Sequence, residues 1–279
     1  MRLLVCLLAF AAVSACKRGA AAVPQQSRVP GTETVRFKSG SLTLAGVVYK
    51  PEGSGPFPTI LWNHGSYGDP MVAFDEMGPN FKARGWAFFG PFRRGQGLSA
   101  AAGPYIGDEI ERAAGSDGMR GKARAMVRLL EGDHLQDQLA AYAWLKQQGF
   151  VLPDRIAVGG NSFGGIQAVL GSERVSYCAA IDATGGAQSW SVAPELHPVM
   201  LRAARASRAP MFLFQAENDY DLTPSHALAQ AMQQAGKIAE VKIYPPFGEG
   251  PAAGHGFGWH GSSLWVDDVV RFLERHCDR

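Results

Sequence analysis

A serine between glycines, a pair of aspartates and a histidine set among glycines are the side chains of this chain that could act together on one bond. Gly160-Asn161-Ser162-Phe163-Gly164 puts Ser162 at the centre of G-x-S-x-G. That spacing suits a serine held at the tip of a sharp strand-to-helix turn, because the flanking glycines remove Cβ atoms that would collide across the bend. A serine hydroxyl is a weak nucleophile until a base takes its proton, and the base needs a further group to fix its tautomer and stabilise its charge. Two later stretches could supply both. Gln215-Ala216-Glu217-Asn218-Asp219-Tyr220-Asp221-Leu222-Thr223-Pro224 offers Asp219 or Asp221, and Pro251-Ala252-Ala253-Gly254-His255-Gly256-Phe257-Gly258 offers His255, read here as a loop whose glycines give an imidazole room to swing. His260 is the second candidate base. His197, His226 and His276 fall on or beside expected helices and His134 beside a helix cap, so all four read as surface histidines.

The elements that must position these groups follow from periodicity. Ile156-Ala157-Val158 is the short apolar run of a strand covered on both faces, and Ile166, Val169 and Leu170 then recur at helical spacing. A helix starting just after Ser162 aims its free amide groups at the turn, where they favour a developing negative charge. Upstream, Val35–Phe37 and Leu42–Tyr49 read as an antiparallel edge hairpin, and Thr59–Asn63 as a strand running into His64-Gly65-Ser66-Tyr67-Gly68. Helix Met71–Arg84 and strand Trp86–Gly90 follow, then a loop with Arg93 and Arg94. Residues 100–131 end in a basic helical run, Arg120–Leu130, and form a candidate lid. Helix 133–149, strand 178–182, helix 195–206, strand 211–215, helix 225–235, strand 241–244 and a closing helix 263–276 complete the alternation. Strands alternating with helices imply right-handed crossovers and a mainly parallel sheet, with ligands gathering where strand C-termini open into loops.

With its strand-HG loop, G-x-S-x-G turn, acid loop and Gly-His-Gly-Phe stretch in that order, the chain from about Thr34 onwards resembles the α/β-hydrolase superfamily. It is most similar to the dienelactone-hydrolase-like and prolyl-oligopeptidase-like branch. The resemblance implies an α/β-hydrolase fold with a mainly parallel eight-stranded sheet and helices on both faces. It implies acyl transfer through Ser162, with His255 as base and Asp219 as acid, since Asp219 and Leu222 resemble the family's D-x-x-(V/L) spacing. Asp221 is the alternative acid. The oxyanion amides would come from Phe163 and from Ser66 or Tyr67, with His64 shaping that loop. Neither cofactor nor metal is implied. Dienelactone hydrolases proper carry cysteine at the turn, so their lactone substrate does not transfer to a Ser162 enzyme. The expected activity is a carboxylesterase on a small acyl substrate. A small-peptide or aminoacyl peptidase and a catalytically idle binding protein on the same fold stand as alternatives. Trp190, Tyr67 and Phe163 are candidates to line an acyl pocket, and Arg93, Arg94 and the basic run 120–128 to meet an anionic substrate.

With 279 residues, 46% hydrophobic and 19% charged, the chain is long enough for one well-buried domain over 32–279. A net charge of +2 with scattered Lys and Arg argues against nucleic acid as a partner. Met1-Arg2 followed by Leu3–Val13 has the build of a secretory signal over 1–15. Val13-Ser14-Ala15-Cys16 resembles a bacterial lipobox, which implies cleavage before Cys16, lipidation of that cysteine and a membrane partner. Lys17 resembles the outer-membrane sorting pattern, pointing to a lipid-anchored protein facing the periplasm, with a soluble secreted or periplasmic form as the alternative. Residues 16–31 suit a flexible tether. Cys178 and Cys277 could be bridged, a pairing the sequence leaves open.

Overall fold

The computed structural model describes residues 26–67, 69–115 and 117–278. The expected signal segment, Cys16 and most of the tether therefore lie outside the described residues. Strands β1 (Glu33–Ser39) and β2 (Leu42–Tyr49) form the edge hairpin, turned at Gly40 with φ of 57°. Next come β3 (Phe57–Asn63), α1 (Pro70–Lys82), β4 (Ala87–Pro91) and a 3₁₀ turn over Gly97–Ala102. Helices α2 (Ile106–Arg112), α3 (Gly118–Glu131) and α4 (Asp133–Leu145) precede β5 (Val151–Asn161) and α5 (Phe163–Arg174). The chain continues through β6 (Ala180–Ala183), α6 (Leu196–Ala206), β7 (Met211–Ala216), α7 (Thr223–Gln234) and β8 (Ala239–Tyr244) to α8 (Gly250–His260) and α9 (Ser262–Cys277).

The eight strands form one sheet in the order β1-β2-β4-β3-β5-β6-β7-β8, parallel from β4 through β8 and antiparallel only at the β1-β2-β4 end. This is the expected α/β-hydrolase architecture. Strand alternation divides the core into two layers. Ile60, Trp62, Ala157, Phe212 and Phe214 pack one face against α1 and α9, whereas Leu61, Val158 and Leu213 pack the other against α4, α5 and α6. Trp62 stacks on Trp265 of α9 at 5.5 Å between ring centroids. Each such fully buried ring is worth about 1.5–3 kcal/mol relative to exposure, which is how the closing helix is held to the sheet.

Two expectations need correction. The stretch Pro251–Gly258 is the body of α8 rather than a loop. Its glycines are there for close packing: a methyl on Gly254 would fall 2.5 Å from the Asn218 carbonyl, and one on Gly258 would meet Thr184 and Asn161 at 3.1–3.2 Å. His134 is fully buried rather than at the surface, because the inward face of α4 continues through it to Leu135, Gln138, Ala141 and Leu145. Neither of its ring nitrogens has a partner among the described residues, and burial, helped by the Arg93 and Arg94 charges, pushes its pKa down to about 2. Among the described residues no helix is long and apolar enough to cross a membrane.

Candidate active site

Ser162 stands between the end of β5 and the start of α5 with φ of 55° and ψ of −121°. For a residue with a Cβ that conformation costs on the order of 1–3 kcal/mol and persists only where its surroundings enforce it. They do so through glycine. A methyl on Gly160 would lie 2.2 Å from the Gly164 carbonyl oxygen, and one on Gly164 would lie 1.9 Å from that of Asn63. The Ser162 amide is held by the Ala183 carbonyl at 3.0 Å and the Thr184 hydroxyl at 3.3 Å.

The structure brings the three expected side chains into one line. His255 Nε2 lies 3.0 Å from Ser162 Oγ, and His255 Nδ1 lies 2.9 Å from Asp219 Oδ1. A carboxylate only accepts, so Nδ1 carries the hydrogen and Nε2 is left to accept from the serine hydroxyl. Asp219 Oδ1 also accepts from the Tyr220 amide at 2.7 Å, and Oδ2 accepts from Gln215 Nε2 at 2.8 Å. Asp221 takes a different part, its carboxylate accepting from the Thr223 amide at the start of α7. His260 turns away from the serine to Glu76, at 2.7 Å. His197 stacks on Trp190 at 4.0 Å, and His226 is exposed on α7.

Several supports were not legible in the sequence. Gln215 is buried at the end of an apolar strand, where it binds Asp219, the Asp221 carbonyl and Ser225. Asn218 ties the acid loop to the entry of α8: its amide donates to the carbonyls of Phe247, Gly248 and Gly250, and its oxygen accepts from the Phe247 amide. The available signal was two amide side chains, Gln215 and Asn218, within the five residues that end at Asp219. Asp182 is buried behind the elbow, accepting from the Gly185 amide at 2.8 Å, and burial with the nearby Asp219 charge pushes its pKa up to about 7.

The loop after β3 is fixed by Arg93. Its guanidinium donates to the His64 carbonyl at 2.7 Å, to Gln167 Oε1 at 2.5 Å and to Gln96 Oε1 at 2.9 Å, and Gln96 in turn holds the Tyr67 carbonyl at 2.8 Å. The Arg93 amide donates to His64 Nε2 at 3.0 Å, so Nδ1 carries the hydrogen and donates to the Gly65 carbonyl at 2.7 Å. Burial and the Arg93 charge hold the His64 pKa well below the usual range, which leaves it neutral and fully engaged. Arg94 is likewise engaged, by Asp133 and Asp137, each at 2.8 Å. Neither arginine is therefore presented to an anionic substrate, which corrects that expectation.

Ser66 and Phe163 line a common cleft with a free volume of about 80 Å³, walled by α2, α3 and the 188–192 segment. Phe163 is the first residue of α5, so its amide is one of the helix's unpaired donors. The Ser66 carbonyl accepts from the Tyr105 hydroxyl. Tyr67 and Trp190 do not line this cleft. The Tyr67 ring packs 5.0 Å from that of Trp259, and Trp190 is buried against His197. Lys122 alone of the basic run's cations reaches the cleft, at 2.6 Å from Glu111. Among the described residues no group of three His, Cys, Asp or Glu side chains is placed to hold a metal ion.

A family model, that of the dienelactone hydrolase family, matches residues 44–268. Comparison with curated protein sequences finds no match. Among solved structures, the chain is similar to an acylaminoacyl peptidase of Pyrococcus horikoshii, with a TM-score of 0.62 and 19% identity over 88% of this chain and 42% of that one. A Mycobacterium tuberculosis puromycin-hydrolyzing peptidase gives 0.65 and 19% over 88% and 39%. A thermophilic esterase of Thermogutta terrifontis gives 0.60 and 20% over 88% and 92%. The chain thus spans about two fifths of the peptidases' length and nearly all of the esterase's. At these identities the likeness is one of fold.

Proposed function

The chain belongs to the dienelactone hydrolase family and is a hydrolase; from that premise we propose that it is an exported serine hydrolase cleaving a carboxylic ester through an acyl-enzyme on Ser162. The observation that carries the reading is the unbroken chain from Ser162 Oγ through His255 to Asp219, with links of 3.0 and 2.9 Å. Ser162 Oγ attacks the ester carbonyl carbon while its proton passes to His255 Nε2, and Asp219 stabilises the imidazolium. The amides of Phe163 and of Ser66 or Tyr67 receive the oxyanion. Collapse breaks the bond to the leaving oxygen, which takes the proton from His255. Water, deprotonated by the same imidazole, then attacks the acyl carbon and frees Ser162.

The ester reading is favoured over a peptidase by the match along nearly the whole of the esterase, whereas the peptidases carry more than half their length outside it. Export is supported by the leader-like start of the sequence and by the Cys178–Cys277 disulfide, a bond that persists in oxidising compartments. The lipid anchor at Cys16 is part of the same proposal, and the mass of the mature N-terminal peptide tests it.

A fluorophosphonate probe tests the chemistry directly. Wild type is expected to be labelled once, at Ser162, and Ser162→Ala to lose labelling together with esterase turnover, by about 10⁶-fold in kcat. Asp219→Asn should lose about 10⁴-fold, the cost of the wrong tautomer. Asp221→Ala should cost only about 1 kcal/mol of stability, as a lost helix-start contact does. Labelling that survives Ser162→Ala would remove the reading, and an unlabelled wild type would favour the idle binding protein.

A further inference from the structure

We propose that the cleft beside Ser162 receives the acyl part of the ester, and that the acyl group is uncharged, mainly apolar and short, with about three non-hydrogen atoms beyond its carbonyl. The proposal rests on the serine-hydrolase reading above and adds the direction in which the substrate lies. The leaving oxygen must sit against His255 Nε2, since that atom returns its proton. Around His255 stand the rings of Tyr220, at 5.6 Å, and Trp259, at 6.2 Å, and none of these three residues lines the cleft. The cleft instead begins at Ser66 and Phe163, the residues proposed to hold the oxyanion. Ser162 itself does not line the cleft, which starts at its neighbour Phe163; with the leaving group at His255, the cleft is the space next to the serine that remains for the acyl substituent.

Shape and chemistry of the walls set what that substituent is. Ile110, Ala123 and Met126 from α2 and α3 are buried and line the cleft together with Val192, so its lining is mainly apolar, with Gln188 and Ser189 as uncharged polar members. At the mouth Glu111 and Lys122 neutralise each other at 2.6 Å, which offers no net charge to an ionised acyl group. A cavity of about 150 Å³ takes up benzene, with six non-hydrogen atoms, so about 80 Å³ admits roughly three. A butanoyl chain fits; octanoyl and dodecanoyl do not.

The test measures kcat/KM of the purified full chain on p-nitrophenyl esters from acetate to dodecanoate, and on acetates of alcohols of rising length. Expected is a peak at butanoate, at least about tenfold above acetate given the discrimination that methylenes provide in an apolar pocket, with a fall towards octanoate and dodecanoate. The alcohol series should stay within about tenfold. Val192→Trp and Met126→Trp, which fill the cleft from the 188–192 segment and from α3, should each lower the butanoate-to-acetate ratio at least about tenfold. Labelling by the fluorophosphonate identifies which variants keep a live site. A labelled wild type whose acyl series is flat or falls from acetate, or whose preference follows the alcohol, overturns the acyl assignment alone. A wild type that is neither labelled nor active removes the serine-hydrolase reading, and this assignment with it.

Discussion

Asp182 shows what the fold does to single side chains near the elbow. Its carboxyl group fills the space that Cβ atoms at Gly165 and Gly185 would occupy, at 2.2 and 2.0 Å, so it is wedged between α5 and the turn after β6. Burial pushes its pKa up to about 7, whereas an unfolded aspartate ionises near about 3.9. The folded state therefore holds the proton longer, and stability falls as pH rises through the window from about 4 to 7. Asp182→Asn removes that slope. In urea titrations from pH 4 to 8, the variant should gain on wild type with rising pH, by on the order of a few kcal/mol at pH 8. Parallel profiles would sink this account. His134 and His64 act in the opposite sense: both are depressed by burial, so the stability they contribute is present above about pH 6.5 and lost below it. Comparing wild type with the single variant separates the two effects. At this scale Ser162 and His255 were legible from their glycine neighbours. Asp219 and Asp221 lie two residues apart in one loop; the D-x-x-(V/L) resemblance favours Asp219, and the contact with His255 is what separates the two.

Among the elements, α8 departs furthest from its sequence pattern. Glycines inside a helix cost about 1 kcal/mol each relative to alanine, so Gly254, Gly256 and Gly258 argue locally for a loop. Packing overrides that propensity, because only a helix without side chains at 254 and 258 can lie against the acid loop and the turn at Thr184. Gly254→Ala is the sharpest test. The added methyl meets backbone at 2.5 Å, so α8 must move away from Asn218 and carry His255 from Asp219. A displacement near 1 Å should cost about 100-fold in kcat/KM. Gly149→Ala, where nothing lies within 4 Å, should leave both activity and stability near wild type. Equal effects of the two substitutions would show that the close packing of α8 is not what holds the imidazole.

For the whole molecule, the Cys178–Cys277 bond joins the lead-in to β6 with the end of α9, across a sequence separation of 99. It lies at the N-terminal end of the parallel strands, opposite the end that carries Ser162. Loop closure of that length predicts a stabilisation of about 4–5 kcal/mol through the unfolded state. Guanidinium unfolding with and without reductant should show that loss, while turnover under native conditions stays close to wild type. A reduced protein as stable as the oxidised one would contradict the estimate.

What the amino-acid order by itself determined is what local sterics and periodicity can express. That covers the alternation of strands and helices, the glycine-framed turn that strains Ser162, and a histidine and an acid loop in the right order behind it. Tertiary structure decided the rest: which aspartate meets the imidazole, the helical state of α8, the burial of His134, the partnering of the two cysteines, and a cleft built from α2, α3 and residues 188–192. Each of those depends on contacts between residues far apart in the chain, such as Ser162 and His255 at a sequence separation of 93. A local pattern carries no record of which distant surface will pack against it, and that packing is what selects among locally equivalent side chains.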